Sequence, residues 1–336
     1  MKADSAEATA PCRVDLAGGG LDVWPVYLFY PGAVTVNVAV DRRAWCRAEL
    51  GGEGVQIESK DTLLKASAAR VDELVADGAL ALVAHVLRSL EVESGVRVVT
   101  QSRVPEGSGL GGSSAVAVAV AAAVNAVLGR AIDPDRLWPL LRDAQTRCLG
   151  QPTGPRDYQP ALRGGTLALH LEPGQVRVEP LAVDPARVEE SLLLVDSGAE
   201  GPSAPSDWEF VKGQIDGDDR VRGALEALAA AARGIREALV EGRFEDVVDL
   251  FAEEWEARKR LAPGVTTPEI DRVAEVARAA GGAAKPCGAS GGRVVAVWAP
   301  PGARGPGRRE AVQEALTTAG FRIFPAGVDL RGLEVA

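Results

Sequence analysis

Gly107-Ser108-Gly109-Leu110-Gly111-Gly112-Ser113-Ser114 packs four glycines and three serines into eight residues, directly ahead of an Ala/Val-rich run from Ala115. Glycine lets a backbone turn tightly and approach a ligand closely. A helix starting near Ser113 offers unpaired N–H groups and the positive end of its dipole, which together hold phosphate. Ser113 and Ser114 are suited to cap that helix, and either hydroxyl can also reach a metal ion carried by phosphate. With Pro105 at its entrance, the segment reads as a nucleotide-phosphate cradle.

Two other phosphate loops share some of these letters. Gly107-x-Gly109-x-x-Gly112 matches the dinucleotide fingerprint, which needs a strand after its helix. Here Asp133-Pro134-Asp135 starts a second helix over 134–149, so that motif is disfavoured. The lysine-bearing loop needs Gly-Lys-Ser or Gly-Lys-Thr, and the sequence has no Gly-Lys pair. A glycine turn that caps a helix and binds nothing is the plain alternative. It leaves the entropic cost of so many glycines unexplained.

Three further clusters carry polar groups. Ala10-Pro-Cys12-Arg13-Val-Asp15-Leu-Ala-Gly18-Gly19-Gly20-Leu21-Asp22 sets an arginine and an aspartate nine residues apart. Pro152-Thr153-Gly154-Pro155-Arg156-Asp157-Tyr158 follows the second helix, and Lys285-Pro-Cys287-Gly288-Ala289-Ser290-Gly291-Gly292-Arg293 lies near the C-terminal end. Read locally, Asp157 is a turn residue, Asp22 a helix cap before Val23-Trp24-Pro25, and Gly288 to Gly292 a turn before a strand.

These segments, in this order, resemble the three motifs of the GHMP kinases, the superfamily of galactokinase, homoserine kinase and mevalonate kinase. Residues 104–115 are similar to the second motif, Pro-x-x-x-Gly-Leu-Gly-Ser-Ser-Ala, with one extra glycine. The resemblance implies an ATP- and Mg2+-dependent kinase. ATP would contact Pro105, Gly107, Ser108, Gly109, Leu110, Gly111, Gly112, Ser113 and Ser114. Asp157 would act as general base or orient the attacking hydroxyl, with Arg13 as its cation. The acceptor would meet Asp15, Gly18, Gly19, Gly20, Asp22, Gly288, Ala289, Ser290 and Gly291, Asp22 holding sugar hydroxyls. Ser114 and Gln145 would serve the metal.

Three positions depart from the pattern. Gln145 stands where many members carry a magnesium-binding glutamate, and Ser290 and Arg293 stand where glycines are usual. Such departures fit slower turnover or a member without catalysis. The triplet Gly18-Gly19-Gly20 looks like the heptose kinase and fucokinase branch, and the Glu-His of galactokinase is absent from that stretch. The implied acceptor is the anomeric hydroxyl of a heptose 7-phosphate, with Arg156 or Lys212 within reach of a phosphate, or solvated. An unphosphorylated sugar and a non-catalytic nucleotide- and sugar-binding sensor stay open. A member acting in isoprenoid or amino-acid metabolism is disfavoured by the triplet and the Arg13–Asp22 spacing.

The elements that must position these groups are legible in outline. Period-two alternation predicts strands over 34–40, 44–50 and 55–59, a helix over 74–90, and a strand over 96–101 feeding the cradle. Paired strands follow over 164–171 and 175–180, then a strand over 191–196 and a polar stretch over 197–219. Helices are expected over 221–241, 244–261, 268–280 and 309–319, and strands over 294–298 and 322–325. The fold class is α+β in two parts, 1–180 and 181–336. The resemblance implies a ribosomal protein S5 domain 2-like N-terminal domain and a ferredoxin-like C-terminal domain, with the site between them.

Composition narrows the classes. A chain of 336 residues with 46% hydrophobic content can bury a large core. A formal charge of −10 with no basic stripe argues against nucleic acid as partner. The longest apolar run, 115–124, is too short to span a membrane. Four scattered cysteines read as free thiols and, with no signal-peptide pattern, point to the cytoplasm. Cys12 and Cys287 lie inside motifs, where a thiol reagent would touch the site if they were reactive. A small-molecule partner is expected, with monomer and homodimer both open.

Overall fold

The structure is a computed structural model that describes residues 4–105, 107–199, 207–288, 291–302 and 308–336. Its first half forms β1 (Ser5–Ala17), β2 (Val34–Leu50), β3 (Val55–Ser59), β4 (Lys65–Ala68), α1 (Ala79–Ser89), β5 (Val96–Ser102), α2 (Gly112–Val127), α3 (Pro134–Leu149), α4 (Tyr158–Arg163), β6 (Thr166–Glu172) and β7 (Gln175–Pro180). The second half forms α5 (Pro185–Ser191), β8 (Leu192–Asp196), α6 (Asp207–Asp216), α7 (Asp219–Val240), α8 (Asp246–Lys259), α9 (Pro268–Ala279), β9 (Ala283–Gly288), β10 (Gly291–Trp298), α10 (Arg308–Thr318), β11 (Arg322–Pro325) and β12 (Glu334–Val335).

The first sheet runs β12-β1-β2-β5-β3-β4, with β6 and β7 attached beside β2. β1 and β2 pair antiparallel over most of their length, from Ser5 opposite Glu49 to Ala17 opposite Val36. The two strands read separately over 34–40 and 44–50 are one strand, with the register against β1 shifting where Pro11-Cys12 faces 40–43 and again between Asp15 and Ala17. From Ala10 onward every residue of β1 is buried. The strand is therefore covered on both faces, and its polar residues Arg13 and Asp15 point into protein rather than water.

α2 supplies much of that cover. Its Ala/Val sequence is apolar all round, the pattern of a helix enclosed by the core, and it is buried on nearly all sides. α3 begins where Asp133 accepts from the Asp135 N–H, with Pro134 in the first turn, and ends at Gly150 in the left-handed conformation. Those local signals fix the ends expected from the sequence.

The second sheet has the order β11-β8-β10-β9, all antiparallel. With helices between β8 and β9 and between β10 and β11, this is the ferredoxin-like βαββαβ arrangement. One hydrophobic core joins the two halves, since Cys12, Val14 and Ala119 cluster with Ile235, Cys287 and Trp298. The chain end recrosses the division expected at 180: Ala8 pairs with Val335, and Val40 bridges Val328.

Other elements differ from expectation, β1 among them, since no strand is expected over 5–17. The first helix starts at Ala79, after Gly78 at φ +54°, rather than at residue 74. The polar stretch over 197–219 contains α6, whose Phe210 and Val211 are buried. The part of the third motif at 283–288, read as leading into a turn, is a fully buried strand.

Candidate active site

Arg13 sits where three segments meet. Its backbone N–H donates to Leu110 O at 2.9 Å, which joins β1 to the Gly-rich loop. Its guanidinium donates from Nη1 to Gly109 O, and to Cys287 O at 3.1 Å. The other side of the fork meets Asp157, with Nε 2.8 Å and Nη2 2.6 Å from Oδ1. The Asp157 carboxyl keeps 20% of its exposure, whereas Arg13 keeps 4%. The carboxylate is thus held from behind by a buried cation and open in front.

The third motif closes on the cradle through backbone groups. Arg293 N–H donates to Gly107 O and Val294 N–H to Ser108 O, both at 3.1 Å. Gly292 lies so near that a Cβ there would stand 2.9 Å from Gly109 Cα, and its φ is +131°. Only glycine fits both the conformation and the space. The Arg293 side chain turns outward to Asp196, with Nε–Oδ1 2.5 Å and Nη2–Oδ2 3.0 Å. Ala289 and Ser290 lie outside the described residues.

At the start of α2, Ser114 Oγ donates to Gln145 Oε1 at 3.0 Å, and Gln145 Nε2 donates to Ser113 Oγ at 3.3 Å. Tyr158, fully buried, also donates its hydroxyl to Gln145 Oε1. Burial pushes the Tyr158 phenol up, so it stays protonated and a donor. Gln145 Oε1 therefore serves two hydroxyls and locks α2, α3 and α4 together. Among the described residues no group of three or more His, Cys, Asp or Glu side chains could hold a metal ion.

Asp22 is placed differently from an open hydroxyl-binding carboxylate. Its side chain has no exposure. Oδ1 accepts from Gly20 N–H at 3.2 Å and from Arg156 Nη1, and Oδ2 accepts from Arg156 N–H at 3.1 Å. A Cβ on Gly154 would lie 2.0 Å from Asp22 Oδ2, so glycine there is what admits the carboxylate. The Arg156 Nε is also 3.5 Å from Asp157 Oδ1. Asp22 and Arg156 thus tie the glycine triplet to the segment carrying Asp157.

Behind the triplet stand four wholly buried charged side chains: Asp15, Glu254, Arg258 and Lys285. Burial works to raise the Asp15 carboxyl, but Lys285, Arg258, Arg156 and Arg13 together hold it below its ordinary value. Lys285 is pushed down by burial against the pull of Asp15 and Glu254. Asp15 is therefore no surface ligand for a substrate. The two motif cysteines are buried as well, and burial pushes the Cys12 and Cys287 thiols up to about 12, away from the thiolate form.

The family model described as GHMP kinases N terminal domain matches residues 75–165, and that described as GHMP kinases C terminal matches residues 235–321. Galactokinase of Mycobacterium tuberculosis is 32% identical over 260 residues, covering 68% of this chain and 71% of that protein. The chain belongs to the GHMP kinases.

The kinase is also similar to D-glycero-alpha-D-manno-heptose 7-phosphate kinase of Campylobacter jejuni, 25% identical over 277 residues that cover 80% of this chain and 81% of that protein. Among solved structures, a D-glycero-D-manno-heptose 1-phosphate kinase from Bacteriodes thetaiotaomicron superposes with a TM-score of 0.76, at 24% identity and 98% coverage of both chains. These relatives place the enzyme with small-molecule kinases of the sugar-kinase branch.

Of the residues singled out from the sequence, Arg13, Asp157 and the Gly-rich loop converge with Cys287 and Gly292 of the third motif, Gly288 pairs with Gly291, and Asp22 and Asp15 are buried. Glu254 and Arg258 were not singled out. Their signal was present as two charges on the buried stripe of α8, one turn apart among Phe251 and Trp255.

Proposed function

We propose that the kinase transfers the γ-phosphoryl group of ATP to a sugar hydroxyl, the anomeric hydroxyl of a heptose 7-phosphate. The observation that carries the reading is the Arg13–Asp157 pair at the cradle, with the carboxylate open on one side. Asp157 would accept the hydrogen bond of the acceptor hydroxyl, align it, and take the proton late in the transfer. Arg13, bound to Asp157, Gly109 O and Cys287 O, keeps that carboxylate in fixed register with the cradle.

ATP fits the residues present. The loop 107–114 brings backbone N–H groups to the N-terminus of α2, where phosphate is favoured. Ser114 Oγ would hold a magnesium ion that accompanies the nucleotide, since its lone pairs remain when its hydrogen is donated to Gln145. Such an ion would neutralise charge developing on the transferred group. Gln145, with its oxygen already serving two donors, acts by orienting Ser114.

The heptose assignment rests on the glycine triplet and on the similarity to the Campylobacter enzyme. Similarity to galactokinase favours a second reading, an unphosphorylated sugar. The commitment of Arg156 to Asp22 favours it too, because that guanidinium is engaged inside the protein. The test is ADP release with Mg-ATP across mannoheptose 7-phosphate, mannose, fucose and galactose. Release with the heptose phosphate alone supports the first reading, and release with a free sugar replaces it by the second. ATP binding with no release on any of them would overturn both in favour of a sensor.

A further inference from the structure

The triplet Gly18-Gly19-Gly20 has no side chains by which to be held, yet each residue is gripped by an ionised group. Glu254 Oε1 accepts from Gly18 N–H at 3.3 Å, Arg258 Nη1 donates to Gly19 O at 2.9 Å, and Asp22 Oδ1 accepts from Gly20 N–H at 3.2 Å. Two residues upstream, Lys285 Nζ donates to Leu16 O at 3.3 Å and to Glu254 Oε1 at 2.9 Å. Asp15 completes the group, with Oδ2 3.5 Å from Arg258 Nη2 and 3.7 Å from Lys285 Nζ. Neither Asp15 oxygen receives a hydrogen bond in the structure, so it acts on the cations through charge alone.

Two acids and two cations make the cluster neutral, which is what permits four charges at zero exposure. A buried ion set adds little stability over a well-packed apolar one, and its attested use is to fix one arrangement among several. Here the arrangement fixed is a loop. The cations and Glu254 come from α8 and β9, more than 230 residues away in sequence.

We propose that Glu254, Arg258 and Lys285 are positioning residues for the acceptor loop, so that α8 and β9 complete the acceptor subsite without touching the acceptor. This rests on the reading that the triplet receives the sugar. It assigns the grip to loop geometry rather than to general stability, and the two differ in what they move. Loss of stability alone lowers the unfolding midpoint and leaves both Michaelis constants in step. Loss of positioning raises KM for the acceptor while KM for ATP holds, because the cradle is fastened elsewhere.

The decisive variant is the double change Glu254→Gln/Arg258→Gln, which removes one charge of each sign and preserves neutrality. Two readouts apply: amide hydrogen exchange of the unliganded protein, and KM with whichever of mannoheptose 7-phosphate, mannose, fucose or galactose the wild type uses. Expected are exchange over 16–22 faster by about tenfold with 107–114 unchanged, and acceptor KM raised by about tenfold with ATP KM within about twofold. Exchange and KM both at wild-type levels in a folded double variant overturn the proposal, as does an equal rise in both KM values. Should the double variant fail to fold, Arg258→Lys keeps the charge but loses the fork. A severalfold rise in acceptor KM alone supports the proposal there, and no change overturns it. If the wild type itself turns over no sugar, the substrate reading fails, and hydrogen exchange still decides whether these side chains hold the loop.

Discussion

The cradle at 107–114 and the triplet at 18–20 are both glycine-rich, and they are fastened by different means. The cradle is tied mostly by peptide groups: Gly107 O and Ser108 O accept from the β10 backbone, and Leu110 O accepts from the backbone of Arg13. The triplet is tied by buried ionised side chains of Glu254, Arg258 and Asp22. Backbone ties are indifferent to side-chain identity, so long as the strands lie in register. Ionic ties in a dry interior depend on every member, because removing one strands the charge it balanced. The contrast explains why Arg293 is tolerated where glycine is usual: its N–H makes the tie, and its side chain lies out against Asp196.

The largest effect is expected where the two regions meet, at Asp157. Asp157→Asn keeps the shape but loses the charge that Arg13 holds, and kcat should fall by about 10²–10⁴-fold. Nucleotide affinity, read by ADP titration, should change little because the cradle ties do not pass through this carboxylate. Wild-type kcat in the variant would remove Asp157 from the chemistry. Next comes Glu254→Ala, which leaves Lys285 and Arg258 against Asp15 alone. Urea unfolding should show a loss of about 3–5 kcal/mol, and a loss below ~1 kcal/mol would mean that water enters and screens the site.

The difference between the regions also decides what could be read in advance. The turn at 107–111 and the two helices after it were legible because their signals are local: the glycines and serines, the Ala/Val run of α2, and the Asp133 cap and Gly150 stop of α3. The motif order gave the family, and the succession of strand and helix signals gave the α+β class. The grip on the triplet was not legible, because it couples positions 15–20 to 254, 258 and 285, and no local periodicity reports such contacts. β1 and β9 escaped for a related reason. β9 and the part of β1 from Ala10 onward are buried on two faces and carry Lys285, Arg13 and Asp15 inside, so the apolar alternation that marks a strand is absent there. Asp22, expected to hold sugar hydroxyls, is buried against Arg156, which nothing in its spacing from Arg13 reveals.

A smaller effect tests the backbone side of the comparison. Gly292→Ala places a Cβ 2.9 Å from Gly109 Cα and 3.0 Å from Ser108 O at a φ of +131°. The cost should be about 1–3 kcal/mol of stability, with weaker ADP binding and an acceptor KM that moves less. Unchanged ADP affinity would show that β10 does not fix the cradle.

The smallest effect takes the acid–arginine contact out of the core. Glu179 on β7 accepts from Arg236 Nε at 2.7 Å and Nη2 at 2.6 Å, much as Glu254 meets Arg258, but with a quarter of its side chain exposed. The Arg236 hydrogen bonds hold its carboxyl at about 2, below the ordinary 4.5. A carboxyl lowered on folding stabilises the fold above its unfolded value, and that contribution is lost as pH falls through the folded one. The stabilisation should therefore be complete above about pH 5 and fade toward about pH 2. Screening by water limits it to about 1 kcal/mol or less. Glu179→Gln should accordingly lower stability slightly at neutral pH, and the gap to wild type should close on acidification. A gap that matches the loss in Glu254→Ala would mean that burial is not what separates the two pairs.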